Sequence, residues 1–196
     1  MNAAVGEEAP AEPDEPIGVL VVDDALMWRE TLRRDLEREP DIRVVAEAEN
    51  GQQAVALATE LVPDVILMDL SMPVMGGIEA TRLIHAELPS LRVLVLTQRE
   101  EDEDVVGALR AGAVGYLLKD ISAQELIHDV RRVFQGEVVF TERLAGLVLA
   151  EIRNPTLEDP NGFDTFTTIG LPLAGEQGTE VRFDNVLARV PTSQDY

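Results

Sequence analysis

A chain of 196 residues, 45% of them apolar, has enough material for one packed domain and some additional segments. Its net charge of −21 gives it no basic footprint of the kind that nucleic-acid binding needs. It contains no cysteine, which excludes disulfides, thiolate metal sites and cysteine nucleophiles.

Residues 1–16 hold five acids, three prolines and no base, and read as a disordered acidic arm without the apolar stretch of a secretory leader. From Ile17 a regular alternation begins. Apolar runs rich in Val and Ile occupy 17–22, 42–46, 64–68, 91–96 and 115–118. All are far shorter than the roughly 20 residues of a membrane-spanning helix. With no leader, no span and no cysteine, a cytoplasmic protein is expected.

Between the runs lie stretches with helical spacing. Trp28, Leu32 and Leu36 share one face of the first, and Ala54, Val55, Ala58 and Leu61 mark the second. Ala80, Leu83 and Ile84 belong to a third, and Val105, Val106 and Leu109 to a fourth. Leu126, Val130, Val133 and Phe134 close the series. Pro40, Pro63 and Pro89 end the first three helices, Gly51 opens the second, and Gly112 and Gly115 flank the turn into the fifth strand. Ser122 is placed to cap the last helix.

Five β–α units of this size predict an α/β fold. Continuous apolar strands mean a parallel sheet covered on both faces. The expected architecture is a doubly wound, flavodoxin-like sheet of five strands in the order 2-1-3-4-5, with ligands bound beyond the carboxyl ends of the strands.

The polar residues that matter fall at that edge. Asp23 and Asp24 follow the first strand, Asp69 the third, Thr97 ends the fourth, and Lys119 follows the fifth. Three clustered carboxylates repel one another and raise their own pKa values, which a hard divalent cation resolves. Mg²⁺ suits one or two carboxylates plus a phosphate. A carboxylate is also a nucleophile toward phosphorus. The transferring group then needs positive charge and donors at its oxygens, which Mg²⁺, Lys119 and the Thr97 hydroxyl supply. Of the sixteen basic residues Lys119 is the only lysine, and it falls where a compact point charge is wanted.

Taken together, Val-Val-Asp-Asp at 21–24, Met-Asp-Leu-Ser-Met-Pro at 68–73 with Gly76 and Gly77, Leu-Thr at 96–97 and Gly-Tyr-Leu-Leu-Lys-Asp at 115–120 resemble the receiver domain of two-component response regulators of NarL/FixJ (LuxR-type) style, over about 17–136. The resemblance implies a CheY-like fold. It implies that Asp69 is the phosphoacceptor and a sensor histidine kinase the donor. It implies Mg²⁺ bound by Asp24, Asp69 and the Ser71 backbone carbonyl, with Asp23 acting through metal-bound water. Thr97 and Tyr116 match the family's switch pair: on phosphorylation Thr97 moves toward the phosphoryl group and Tyr116 rotates inward. Pro73 shapes the loop beside the acceptor, and Gly76 and Gly77 let the backbone turn into the third helix. Gln98 stands where the family has a small residue, so it is expected to crowd the phosphoryl group or change water access. Glu100 to Asp104 complement the fourth helix's dipole or form an acidic docking surface. His85 and His128 are expected on the surface, and Trp28 as packing at the pocket rim.

After Gly136 the pattern changes. Residues 137–153 are expected to form a linker and its helix, with Leu144, Leu147 and Val148 on one face. Residues 154–196 read as an acidic tail, disordered or partner-docking through Phe163, Phe166, Ile169 and Leu171, with partial strand-like alternation over Glu180 to Val190. No basic recognition helix of a helix-turn-helix output domain is recognisable, so direct DNA binding is not expected. The expected function is a phosphorylation-controlled switch acting on a downstream protein, a second copy of the chain being another candidate partner. The alternatives are a transcriptional regulator acting through a degenerate output region or a DNA-binding partner, and a Mg²⁺-dependent phosphohydrolase. The last is disfavoured because such enzymes need an acid where Ser71 stands. The chain itself is expected not to be an enzyme beyond self-phosphorylation from small donors and autodephosphorylation.

Overall fold

The computed structural model describes residues 15–98 and 101–140 in full, and the strands 180–183 and 186–189 in backbone. The elements run β1 (Ile17–Val22), α1 (Leu26–Leu36), β2 (Ile42–Ala48), α2 (Gly51–Leu61), β3 (Val65–Met68), α3 (Gly77–Glu87), β4 (Arg92–Thr97), α4 (Asp102–Arg110), β5 (Gly115–Leu118), α5 (Ala123–Phe134) and β6 (Val139–Phe140). They form one parallel sheet in the order β2-β1-β3-β4-β5-β6.

The two faces of the sheet follow from the alternation of side chains along each strand. Val19, Val21, Val65, Leu67, Leu94 and Leu96 pack with Leu32 and Leu36 of α1 and Leu126, Val130 and Val133 of α5. Leu20, Val22, Ile66, Met68 and Val93 pack with Ala54 and Ala58 of α2 and Ala80 and Ile84 of α3. Each fully buried Val or Leu contributes about 1.5–3 kcal/mol. Because β1 lies between β2 and β3, the direction of winding reverses beside it, which opens a crevice at the carboxyl ends of β1 and β3.

Local signals fix the helix ends. Asn50 accepts a hydrogen bond from the Gln53 amide at the start of α2. Ser122 and Glu125 form a reciprocal capping box on α5. Pro63 and Pro89 lie two residues beyond the last residues of α2 and α3. Gly112, at φ 103°, packs against the His85 ring, where a Cβ would approach within 2.5 Å. His85 is therefore half-buried rather than a surface residue, and burial lowers its pKa. His128 is exposed as expected.

Two further features differ from the expectation, the sixth strand and Phe134, while the alternation near the end of the chain is matched by strands. The sheet has a sixth strand: after Gly136, at φ 90°, the chain turns back and Val139 and Phe140 pair with Gly115 and Tyr116. Two residues are too short a run to produce a periodic signal. The linker expected from 137 thus begins as strand, and the helix expected in it lies outside the described residues. Phe134 is 38% exposed and does not share the buried face of α5. The alternation over Glu180 to Val190 corresponds to an antiparallel pair, β7 (Glu180–Phe183) with β8 (Val186–Arg189). Residues 1–14 of the acidic arm expected over 1–16, and the docking residues Phe163 to Leu171, also lie outside the described residues.

Candidate functional site

Every strand that ends at the crevice delivers at least one polar residue. Asp23 leaves β1 with its amide bonded to the Ala48 carbonyl at 3.0 Å, and Asp69 leaves β3 with its amide bonded to the Val22 carbonyl at 2.9 Å. Lys119 leaves β5 with its amide bonded to the Thr97 carbonyl at 2.8 Å. Backbone pairing thus continues past the strand ends and holds the three side chains at neighbouring positions.

Asp23, Asp24 and Asp69 each offer a carboxylate oxygen, all within 4.8 Å of one another, and this cluster can hold a metal ion. Asp23 and Asp69 are buried and Asp24 is exposed. The Lys119 ammonium lies 2.5 Å from Asp23 Oδ2 and 3.1 Å from Asp69 Oδ2. The remaining carboxylate oxygens are partly bonded: the Ala25 amide donates to Asp23 Oδ1 and the Leu70 amide to Asp69 Oδ1. Burial pushes the Asp69 carboxyl above its ordinary pKa, Lys119 pulls it back, and the Asp23 charge pushes it up again. One lysine against three carboxylates leaves the pocket short of positive charge.

The cleft above Asp69 has a volume of about 520 Å³ and is lined by Asp24, Asp69, Ser71, Thr97 and Lys119, among others. All but two of the expected site residues line it. Asp23 sits beneath it against Lys119. Tyr116 is on β5 and fully buried. Gln98 lines the mouth and is exposed.

Two contributions were not legible. Glu101 and Asp104, at the start of α4, reach the cleft as well as lying at the positive end of the helix. Arg29 of α1 is only 9% exposed, donates from Nη1 to the Asp23 carbonyl at 2.6 Å and lies 3.6 Å from Glu47. A base on the face of α1 shared with Leu32 and Leu36 was the available signal.

The glycines at the start of α3 act by close approach. Neither has positive φ. A Cβ on Gly77 would lie 2.0 Å from the Asp69 carbonyl oxygen, while the Gly77 amide donates to the Leu70 carbonyl at 3.0 Å. The Gly77→Ala protein is expected to lose about 1–3 kcal/mol of stability by overpacking and to displace Asp69. Urea denaturation and metal titration check this, and a parent-like midpoint would refute it.

Residues 19–131 match the model of the response regulator receiver domain. The chain belongs to this family. Transcriptional regulatory protein LiaR of Bacillus subtilis is 45% identical over 138 residues, covering 70% of this chain and 65% of that protein. Nitrate/nitrite response regulator protein NarL of Escherichia coli K12 is 40% identical over 139 residues, covering 71% of this chain and 64% of that protein. The chain thus spans just under two thirds of the length of these relatives. Among solved structures, a LuxR-family two-component response regulator from an Aurantimonas species superposes with a TM-score of 0.65 at 34% identity, covering 70% of this chain and 98% of that one. The receiver fold and its strand order are those expected from the sequence. No described helix is long and apolar enough to cross a membrane.

Proposed function

We propose that this chain is the receiver of a phosphorelay, taking a phosphoryl group on Asp69 from a sensor histidine kinase in the cytoplasm. The supporting observation is the Lys119 ammonium held between Asp23 and Asp69, beside three carboxylate oxygens within 4.8 Å of one another. Asp23, Asp24, Asp69 and the Ser71 carbonyl would hold Mg²⁺. When bound it supplies positive charge to the transferring group. Asp69 attacks phosphorus, a P–O bond forms as the donor's P–N bond breaks, and the donor imidazole leaves. Lys119 offsets the charge on the phosphoryl oxygens and the Thr97 hydroxyl donates to them.

Output follows by population shift. The acyl phosphate favours one placement of Thr97 and Tyr116, which reshapes the surface of α4, β5 and α5 for a downstream protein or a second copy. The chain acts as a switch, with self-phosphorylation and autodephosphorylation as its only chemistry. Ser71 stands where a phosphohydrolase of this chemistry would need an acid.

The test is incubation with acetyl phosphate and Mg²⁺, read by intact mass and peptide mapping. One added phosphoryl group, mapping to Asp69 and absent with chelator, is the expected result. No labelling, or labelling elsewhere, would sink the reading. A second reading, transcriptional control, is favoured by the relatives: LiaR is named a transcriptional regulatory protein, and this chain covers only 65% of its length. Specific mobility shift of DNA by the pure chain would establish that reading over the first.

A further inference from the structure

We propose that Trp28 is a positioning residue for Lys119, holding its ammonium at the two carboxylates through the face of the indole ring. This deepens the phosphotransfer reading and rests on it. Lysine is a compact charge on a flexible four-carbon stem, so it needs an external constraint to keep one orientation. Two sides of that constraint are already described: Asp23 at 2.5 Å and Asp69 at 3.1 Å. When Asp69 carries a phosphoryl group, the contact with the free carboxylate changes and one anchor is altered. The third side is Trp28, whose ring centroid lies 5.9 Å from Lys119 Nζ. That distance is within cation–π range, and the Lys119 side chain is only 10% exposed, so the attraction acts in a partly desolvated setting.

The ring is itself well fixed. Trp28 packs against the apolar cluster between the sheet, α1 and α5. Its Nε1 is buried and has no hydrogen-bond partner among the described residues. A buried indole N–H normally finds a partner. Here the indole is held by packing. The neighbouring Arg29 donates to the Asp23 carbonyl at 2.6 Å. Two consecutive residues of α1 therefore brace the pocket, one at the lysine and the other at the backbone of its first carboxylate partner.

The experiment uses the full chain with Trp28→Leu, Trp28→Phe and Lys119→Met, singly and as the Trp28→Leu, Lys119→Met double variant. Labelling by acetyl phosphate with Mg²⁺ is followed to long times by intact mass, and melting temperature is measured in parallel. Trp28→Leu keeps apolar bulk and removes the π face. It is expected to slow labelling about 2- to 30-fold, the span of a cation–π contact from exposed to desolvated settings. Trp28→Phe is expected to recover part of that loss, because it restores a ring without an N–H. In the Lys119→Met background the Leu substitution is expected to slow labelling no further, which a loss of packing alone would not produce. Equal slowing in both backgrounds, or a parent-like rate in Trp28→Leu, overturns the proposal.

Fluorescence separates this outcome from failure of the parent reading. Trp28 is the only tryptophan in the chain. Lys119→Met is expected to change its emission intensity with no donor present. Unchanged emission overturns the contact whether or not the chain is labelled. Absence of labelling in the parent chain overturns the phosphotransfer reading alone.

Discussion

The Asp69→Asn protein is expected to take up no phosphoryl group from acetyl phosphate and Mg²⁺, and to melt at a higher temperature than the parent chain at neutral pH. The first effect follows from chemistry, since an amide is not a nucleophile toward phosphorus. The second follows from where the carboxylate sits. Asp69 is 5% exposed, and its pKa is raised chiefly by burial, with Asp23 adding to the rise and Lys119 opposing it. A raised pKa in the folded state means that the ionised form is held at a cost. That cost is absent at low pH, where Asp69 is protonated in both the folded and unfolded chains. It appears as pH rises above the ordinary carboxylate value and is complete above the elevated one. The Asn variant escapes it, so its advantage should be largest at neutral pH and narrow as pH falls toward the ordinary carboxylate value of about 3.9. A gain on the order of 1 kcal/mol would show as about 2–4 °C in a chain of this size. Mg²⁺ should reverse the order by stabilising the parent selectively. Melting curves at several pH values, with and without Mg²⁺, decide the matter. A variant less stable than the parent at neutral pH without metal would contradict this account. Stability given up at a functional carboxylate is a common pattern.

Most of the fold was legible because buried parallel strands leave a simple trace. Ile17–Val22 is predicted and observed with the same bounds, as is Gly115–Leu118. The edge strand β2 runs two residues further than its apolar run, because Glu47 and Ala48 still pair with Val21 and Val22. β6 was missed because its register with β5 is a tertiary event carried by two residues. The site was legible for a related reason: strand order places residues at the ends of β1, β3, β4 and β5 together whatever the helices do. Contributions from the helix side were not. Arg29 reads as one more surface base until α1 is packed on the sheet, and only then does its guanidinium meet the Asp23 carbonyl. Gly77 reads as a turn residue until the Asp69 carbonyl is found where its Cβ would be. Trp28 reads as rim packing until Lys119 is placed above its ring.

Lys119→Met should slow phosphoryl uptake about 10²- to 10³-fold, the scale seen when one preorganised donor is removed from a developing oxyanion. Methionine keeps most of the stem and deletes the charge, so steric change is small. The same substitution should alter stability in a way that reports on the metal site. Asp23 and Asp69, with side chains 2% and 6% exposed, lose their shared counter-charge. Leaving buried charge without its partner costs about 3–5 kcal/mol in a dry interior, and less here because the cleft admits water. A divalent cation can replace the missing charge. Mg²⁺ should therefore raise the melting temperature of Lys119→Met by more than it raises that of the parent, while uptake stays slow. The two readouts then separate, because Mg²⁺ replaces the lysine as a counter-ion for the carboxylates but not as a positive charge at the phosphoryl oxygens. Equal Mg²⁺ shifts in both proteins would mean that Lys119 does not neutralise these carboxylates. Parent-like uptake would mean that the ammonium is not part of the transfer.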